Sequence, residues 1–176
     1  MRIADNGDIY ALSGYRTTIN KIDQNGKLIK CSGQIDWALQ SSDLELAPDG
    51  GVVIAGLTGY TSFAKESWGI RTMGYVVKVD KDFNKVWTKN YGDSPYGINQ
   101  FAGLESYKEA VIDECWGLMA TTSSSGAQDG YAISCGTGTE GCGHCKPNTE
   151  CMTKCEQDPR SVWRNYVVAF DEEGTT

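Results

Sequence analysis

At 176 residues, 40% hydrophobic, 22% charged and with a formal net charge of −7, the chain has the balance of a folded domain able to bury one sizeable core. Its 16 basic residues are scattered rather than clustered, which excludes nucleic acid as a partner, because phosphate binding needs grouped Lys and Arg. No window approaches the ~20 apolar residues of a membrane span, and Met1-Arg-Ile-Ala-Asp-Asn-Gly7 reads as turn material rather than a signal peptide.

Two phrases recur along the chain. Ala4-Asp-Asn-Gly7 is a turn leading into the short strand that ends near Ser13. Ile19 to Lys30 then reads as a β-hairpin around Asp23-Gln-Asn-Gly26, with Cys31 at its end. Ile35 to Leu46 is read as a link carrying a short outer strand. Ala47-Pro-Asp-Gly-Gly51 repeats the turn, and Val52 to Thr58 is an apolar run of the length of one buried strand. Gly59 to Met73 is read as a variable loop. In Gly74 to Lys89, Tyr75, Val77 and Val79 point one way and Val76 and Lys78 the other, as period two requires, before the turn Asp80-Lys-Asp-Phe-Asn84 and a second extended run.

Asp93 to Ile112 fits neither phrase and is read as a second link. Asp113 to Thr122 is a looser copy of turn and strand, followed by the polar run Thr121 to Ser125, a loop or an acceptor of O-linked sugar. Most of Gly126 to Asn165 is a long loop, and Asn165 to Gly174 opens a third hairpin. The order of turn, strand, variable loop and hairpin gives an all-β chain of about three repeats, at about residues 1–42, 43–104 and 105–176, with a Cys-rich insertion at 134–160.

The residues Pro48, Asp49, Gly50, Gly51, Ala55 and Gly56, followed by Lys78, Asp80 and Trp87, resemble the blade pattern of secreted and surface repeat proteins of the quinoprotein-like β-propeller superfamily. Copies one and three match in part: Ile29 stands where Trp87 would be, and Ala169 replaces the lysine. The resemblance implies a β-propeller or partial propeller. It carries no cofactor ligand across, since that superfamily hosts both enzymes and inert scaffolds. Closed propellers use ~4–8 blades, so about three copies suggest an excerpt of a longer protein, or an open stack whose edges neighbouring molecules cover.

Seven cysteines point to an oxidising compartment, extracellular or cell-surface. Cys135, Cys142, Cys145, Cys151 and Cys155 lie among Gly, Thr, Asn and Pro with almost no apolar residue, so this stretch is read as a disulfide-stapled excursion. Cys31 and Cys115 stand apart, and the odd total leaves at least one thiol free, bridged to another chain, or paired with a residue outside this excerpt. Cys142-Gly-His-Cys145-Lys146 is identical to the active-site phrase of the protein disulfide isomerases, which would imply thiol–disulfide exchange at Cys142 and Cys145. That family places an aromatic before the first cysteine and a long helix after the second, whereas Gly141 precedes here and Pro147 follows soon after. The same thiolates with His144 could hold zinc, but the pair-and-pair spacing of a zinc finger is absent.

His144 is the single histidine, so His-based nucleophilic catalysis elsewhere is excluded by count. Asp80-x-Asp82-x-Asn84 copies the start of a calcium loop, but Lys85 and Tyr91 stand where glycine and glutamate should be. The sister turns at Asp23 and Asp171 instead assign these aspartates to bonding their own backbone two residues on. Trp87 is read as blade packing, while Trp68 with Tyr60 and Phe63 would form the aromatic shelf of a carbohydrate site. No N-glycosylation sequon exists. The sequence therefore predicts a non-catalytic extracellular structural or adhesive module without metal or cofactor. Its expected partners are other protein subunits and, in the alternative readings, glycans or a thiol–disulfide substrate.

Overall fold

The computed structural model describes residues 1–13, 17–35, 39–64, 67–91, 111–139, 148–150, 153 and 164–176. It is all-β. In chain order the strands are β1 (Arg2–Ile3), β2 (Ile9–Ser13), β3 (Thr18–Ile22), β4 (Leu28–Cys31), β5 (Leu39–Leu46), β6 (Val52–Ala64), β7 (Ser67–Val79), β8 (Lys85–Tyr91), β9 (Val111–Thr122), β10 (Gln128–Thr139) and β11 (Arg164–Phe170). They form three antiparallel meanders: β1-β2-β3-β4, β5-β6-β7-β8 and β9-β10-β11. The third is joined to the second by one parallel bridge, Thr72 of β7 to Ile112 of β9, beyond the stretch where β7 pairs β8.

One turn, used six times in the described residues, sets this pattern. Backbone N–H groups of Ala4, Asp23, Ala47, Asp80, Ser123 and Asp171 each donate to the carbonyl four residues on, and the residue three on donates back. At Asp23, Asp80 and Asp171 the carboxylate also accepts the N–H groups two and four residues on, at 2.7–3.0 Å. The aspartates thus do what the turn reading assigned them. The geometry demands a positive φ at the fourth position, and glycine supplies it at Gly7, Gly26, Gly50, Gly126 and Gly174. Phe83 is the exception at φ 67°, a conformation that costs a bulky residue roughly 1–2 kcal/mol. Its ring is buried and meets Tyr10 edge to face at 6.5 Å, so packing holds the turn there.

Pairing registers superimpose the units residue on residue. Ile9 faces Ile22, Val52 faces Val79 and Tyr131 faces Phe170, each pair directly before the turn that starts at Asp23, Asp80 or Asp171. Gly51 and Gly130 occupy the same place, where a side chain would meet the carbonyl oxygen of Val79 or Phe170 at 2.3 Å. Alternation then gives every unit a leading face toward the next unit and a trailing face toward the previous one. Val52, Ile54, Tyr75, Val77 and Val79 trail, packing with Tyr10, Ile19, Leu44 and Phe83. Val53, Ala55 and Val76 lead, packing with Cys115, Leu118, Tyr131, Ile133, Cys135 and Phe170. The alternation expected for β7 is observed, and the near-continuous apolar run of β6 follows from burial on both faces.

Four local expectations are corrected. Gly59 to Met73 is not a loop: β6 and β7 continue as paired strands of 13 residues each. Asp113 to Gly117 is not a turn but lies within β9, and the third copy's turn is Ser123 to Ala127, after which β10 runs to Thr139. β5, read as an outer strand, instead meets the first strands of the other two units. Ile29 is not the counterpart of Trp87. Both hairpins carry the same bulge, at Lys21/Ile22 and at Lys78/Val79, and Lys30 pairs Lys21 as Trp87 pairs Lys78; each lies seven residues after its turn aspartate, Asp23 or Asp80.

Candidate functional site

The chemistry-bearing side chains gather along the seams between units. At the edge where the first strands converge, the Arg2 guanidinium from unit one donates to Glu45 at 3.0 Å, to Asp43 at 3.2 Å and to the Leu118 carbonyl at 3.2 Å. Asp43 accepts the Leu118 N–H at 3.1 Å, and the Ser42 hydroxyl donates to the Cys115 carbonyl. One arginine thereby ties all three units together.

The second cluster lies between units two and three. The Lys78 ammonium is buried and bonded to Glu172 at 2.8 Å and Asp49 at 3.1 Å. Burial pulls its pKa down, but the hydrogen bonds to Glu172 and Asp49 outweigh that pull and leave it above its ordinary value. Burial pushes the Asp49 carboxyl up; the Gly51 N–H and the ammonium overcome this and hold it below the usual range. Tyr131 donates to Glu172 at 3.0 Å. Burial, then the hydrogen bond to that carboxylate, raises its phenol far above normal. Trp87 Nε1 donates to the Glu172 carbonyl at 3.0 Å, with its ring edge-on to Phe170 at 6.1 Å. Trp87 is a packing residue as expected, but it packs across the seam onto the next unit.

At the seam between units one and two the corresponding lysine, Lys21, pairs with Asp8 at 3.0 Å and lies 5.2 Å from the Tyr10 ring centroid. Lys30, in Trp87's place, lies the same distance from the Phe83 ring and reaches Asp82 at 3.1 Å. Lys30 with Asp82 and Phe83 thus bridges the two units, whereas Lys21 is held by Asp8 and Tyr10 of its own unit. Among the described residues no three His, Cys, Asp or Glu side chains converge for a metal ion.

Cys115 and Cys135 form a disulfide inside the core between units two and three. Cys135 thus pairs back across β9 and β10 rather than within the stretch that follows it. Cys31 is a free, exposed thiol. Cys142, Cys145, Cys151 and Cys155, with His144, lie outside the described residues. Of the expected aromatic shelf, the backbone places Phe63 opposite Trp68 and Tyr60 opposite Arg71 on the long β6–β7 arm. The seams themselves were missed in the sequence; their signal was the recurrence of Lys21 and Lys78 at one register position. No family model and no curated protein matches the chain.

Proposed function

We propose that this chain is a non-catalytic structural module of β-propeller type, extracellular or on the cell surface, whose blade-like units stack as a scaffold, adhesion element or filament subunit. The observation that carries this reading is unit two, whose leading and trailing faces are both buried by neighbours built on the same turn and register. It is tied to both neighbours by ion pairs, Asp43 and Glu45 with Arg2 and Asp82 with Lys30 on one side, and Lys78 with Glu172 on the other. The buried disulfide supports an oxidising compartment.

The test is intact mass with and without reduction and alkylation, on protein recovered from its native source. The expected result is three disulfides and one alkylated or intermolecularly bridged thiol in extracellular material. Seven alkylated thiols in intracellular material would overturn the reading and move thiol or zinc chemistry at Cys142 to Cys155 to the front. A second reading, carbohydrate binding, is favoured by the register of Phe63 and Trp68 on the projecting arm; binding on a glycan array that is lost in Trp68→Ala would establish it.

A further inference from the structure

Among the described residues two faces are left over. The leading face of unit one is covered by the trailing face of unit two, and the leading face of unit two by the trailing face of unit three. What remains is the leading face of unit three and the trailing face of unit one. Register identifies the first: Ala132, Ser134, Val167 and Ala169 occupy the positions of Val53, Ala55, Val76 and Lys78. Those positions are buried in unit two, yet Val167 is 71% exposed and Met119, beside Ala132 on β9, is 61% exposed.

The second face is equally defined. Ile3, Ile9, Ile22 and Leu28 are paired in one row across β1, β2, β3 and β4, with Ile3 63% and Leu28 55% exposed. Ala11, Asn20 and the exposed Cys31 form the adjoining row. Of the eight exposed large hydrophobic residues among those described, only Val86 lies outside units one and three. Four of the eight, Ile3, Leu28, Met119 and Val167, lie on these two faces by register, and exposed apolar side chains grouped on one face mark a contact.

We propose that a second copy of this chain covers these faces head to tail, the trailing face of its unit one docking on the leading face of unit three. This rests on the structural reading above and names its partner. Three observations select a second copy over an unrelated protein. The two surfaces are the same pair, leading on trailing, that the molecule already joins twice. Neither face row contains a charged residue, so a chain of net charge −7 meets itself there without repulsion at the contact. The charged pair of the inner seam is absent from both sides together: Ala169 stands in the place of Lys78, and Gln24, next after the turn aspartate Asp23, in the place of Glu172. In the first seam, where Lys21 stands in the lysine's place, Asp8 of its own unit holds it; the two open faces carry neither the lysine nor the glutamate. Such a contact is heterologous, so it closes into a ring or propagates as a filament according to the rotation per copy.

The test uses the full chain in sedimentation velocity over a concentration series. Wild type is expected to grow from monomer to multiples of the monomer mass. Val167→Glu and Leu28→Glu each abolish growth, and an equimolar mixture of the two gives a discrete dimer, since each retains one intact face. Ala169→Lys raises the concentration at half assembly at least tenfold, and Gln24→Glu added to it restores assembly by rebuilding the Lys78–Glu172 pair between copies. A wild type monomeric at every concentration, a mixture that stays monomeric, or a double variant no better than Ala169→Lys would overturn the inference. Circular dichroism confirms that each variant is folded, and Val167→Asn or Leu28→Asn, which puts an uncharged polar group on the same face, replaces a glutamate variant that is not. A folded monomer with three disulfides refutes this contact and leaves the structural reading standing.

Discussion

The two seams of the molecule do the same job with different chemistry. Between units one and two the contact is a stack of fully buried aliphatic side chains closed by Tyr10 and Phe83, with its ion pairs at the margin. Between units two and three the aliphatic part is smaller. A buried disulfide, a doubly bonded lysine and a phenol on a carboxylate take its place. Burial is non-directional and indifferent to redox state, whereas the second seam depends on protonation and oxidation. The difference teaches that a repeated backbone fixes where neighbours meet but leaves open how they are held.

The comparison breaks most sharply at Ile54, which is fully buried in the first seam. Ile54→Ala should cost about 2–5 kcal/mol by loss of transfer energy plus a cavity, read as a lower urea midpoint with an unchanged slope. In the second seam, Cys115→Ala with Cys135→Ala should cost about 2–4 kcal/mol. An equal loss in wild type and variant on adding reductant would show that this disulfide contributes nothing. Phe83→Gly sets two terms against each other, relief of a positive φ and loss of a buried ring. We expect net destabilisation of about 1–3 kcal/mol because the ring term is larger, and a stabilised variant would reverse that ranking.

The smallest effect is on pH. Asp8 and Asp80, each lowered first by a side-chain hydrogen bond, from Lys21 and Asn84 respectively, and Asp49 all have folded carboxyls below the ordinary value. Their contribution is present above about pH 4 and lost as pH falls through the folded values. Lys78 and Tyr131 are raised, so theirs is present below about pH 10 and fades above it. Melting temperature against pH should therefore be flat between these limits. Tyr131→Phe should soften the alkaline edge while leaving the acid edge in place.

Short-range chemistry was legible in the order of residues alone. Asp23, Asp80 and Asp171 announced turns because a carboxylate two residues from a backbone N–H bonds it whatever surrounds it, and the alternation of Tyr75 to Val79 declared two faces. Such features depend on neighbours along the chain. Tertiary packing settled where the third copy turns, since Ser123-Ser-Ser-Gly126 carries no aspartate to announce it. It also decided that Cys135 closes on Cys115, that Phe83 is held in a glycine's conformation by Tyr10, and that Lys78 meets Glu172 94 residues away. These depend on which faces are brought together, and long-range burial leaves no periodic trace in the sequence for a reader to count.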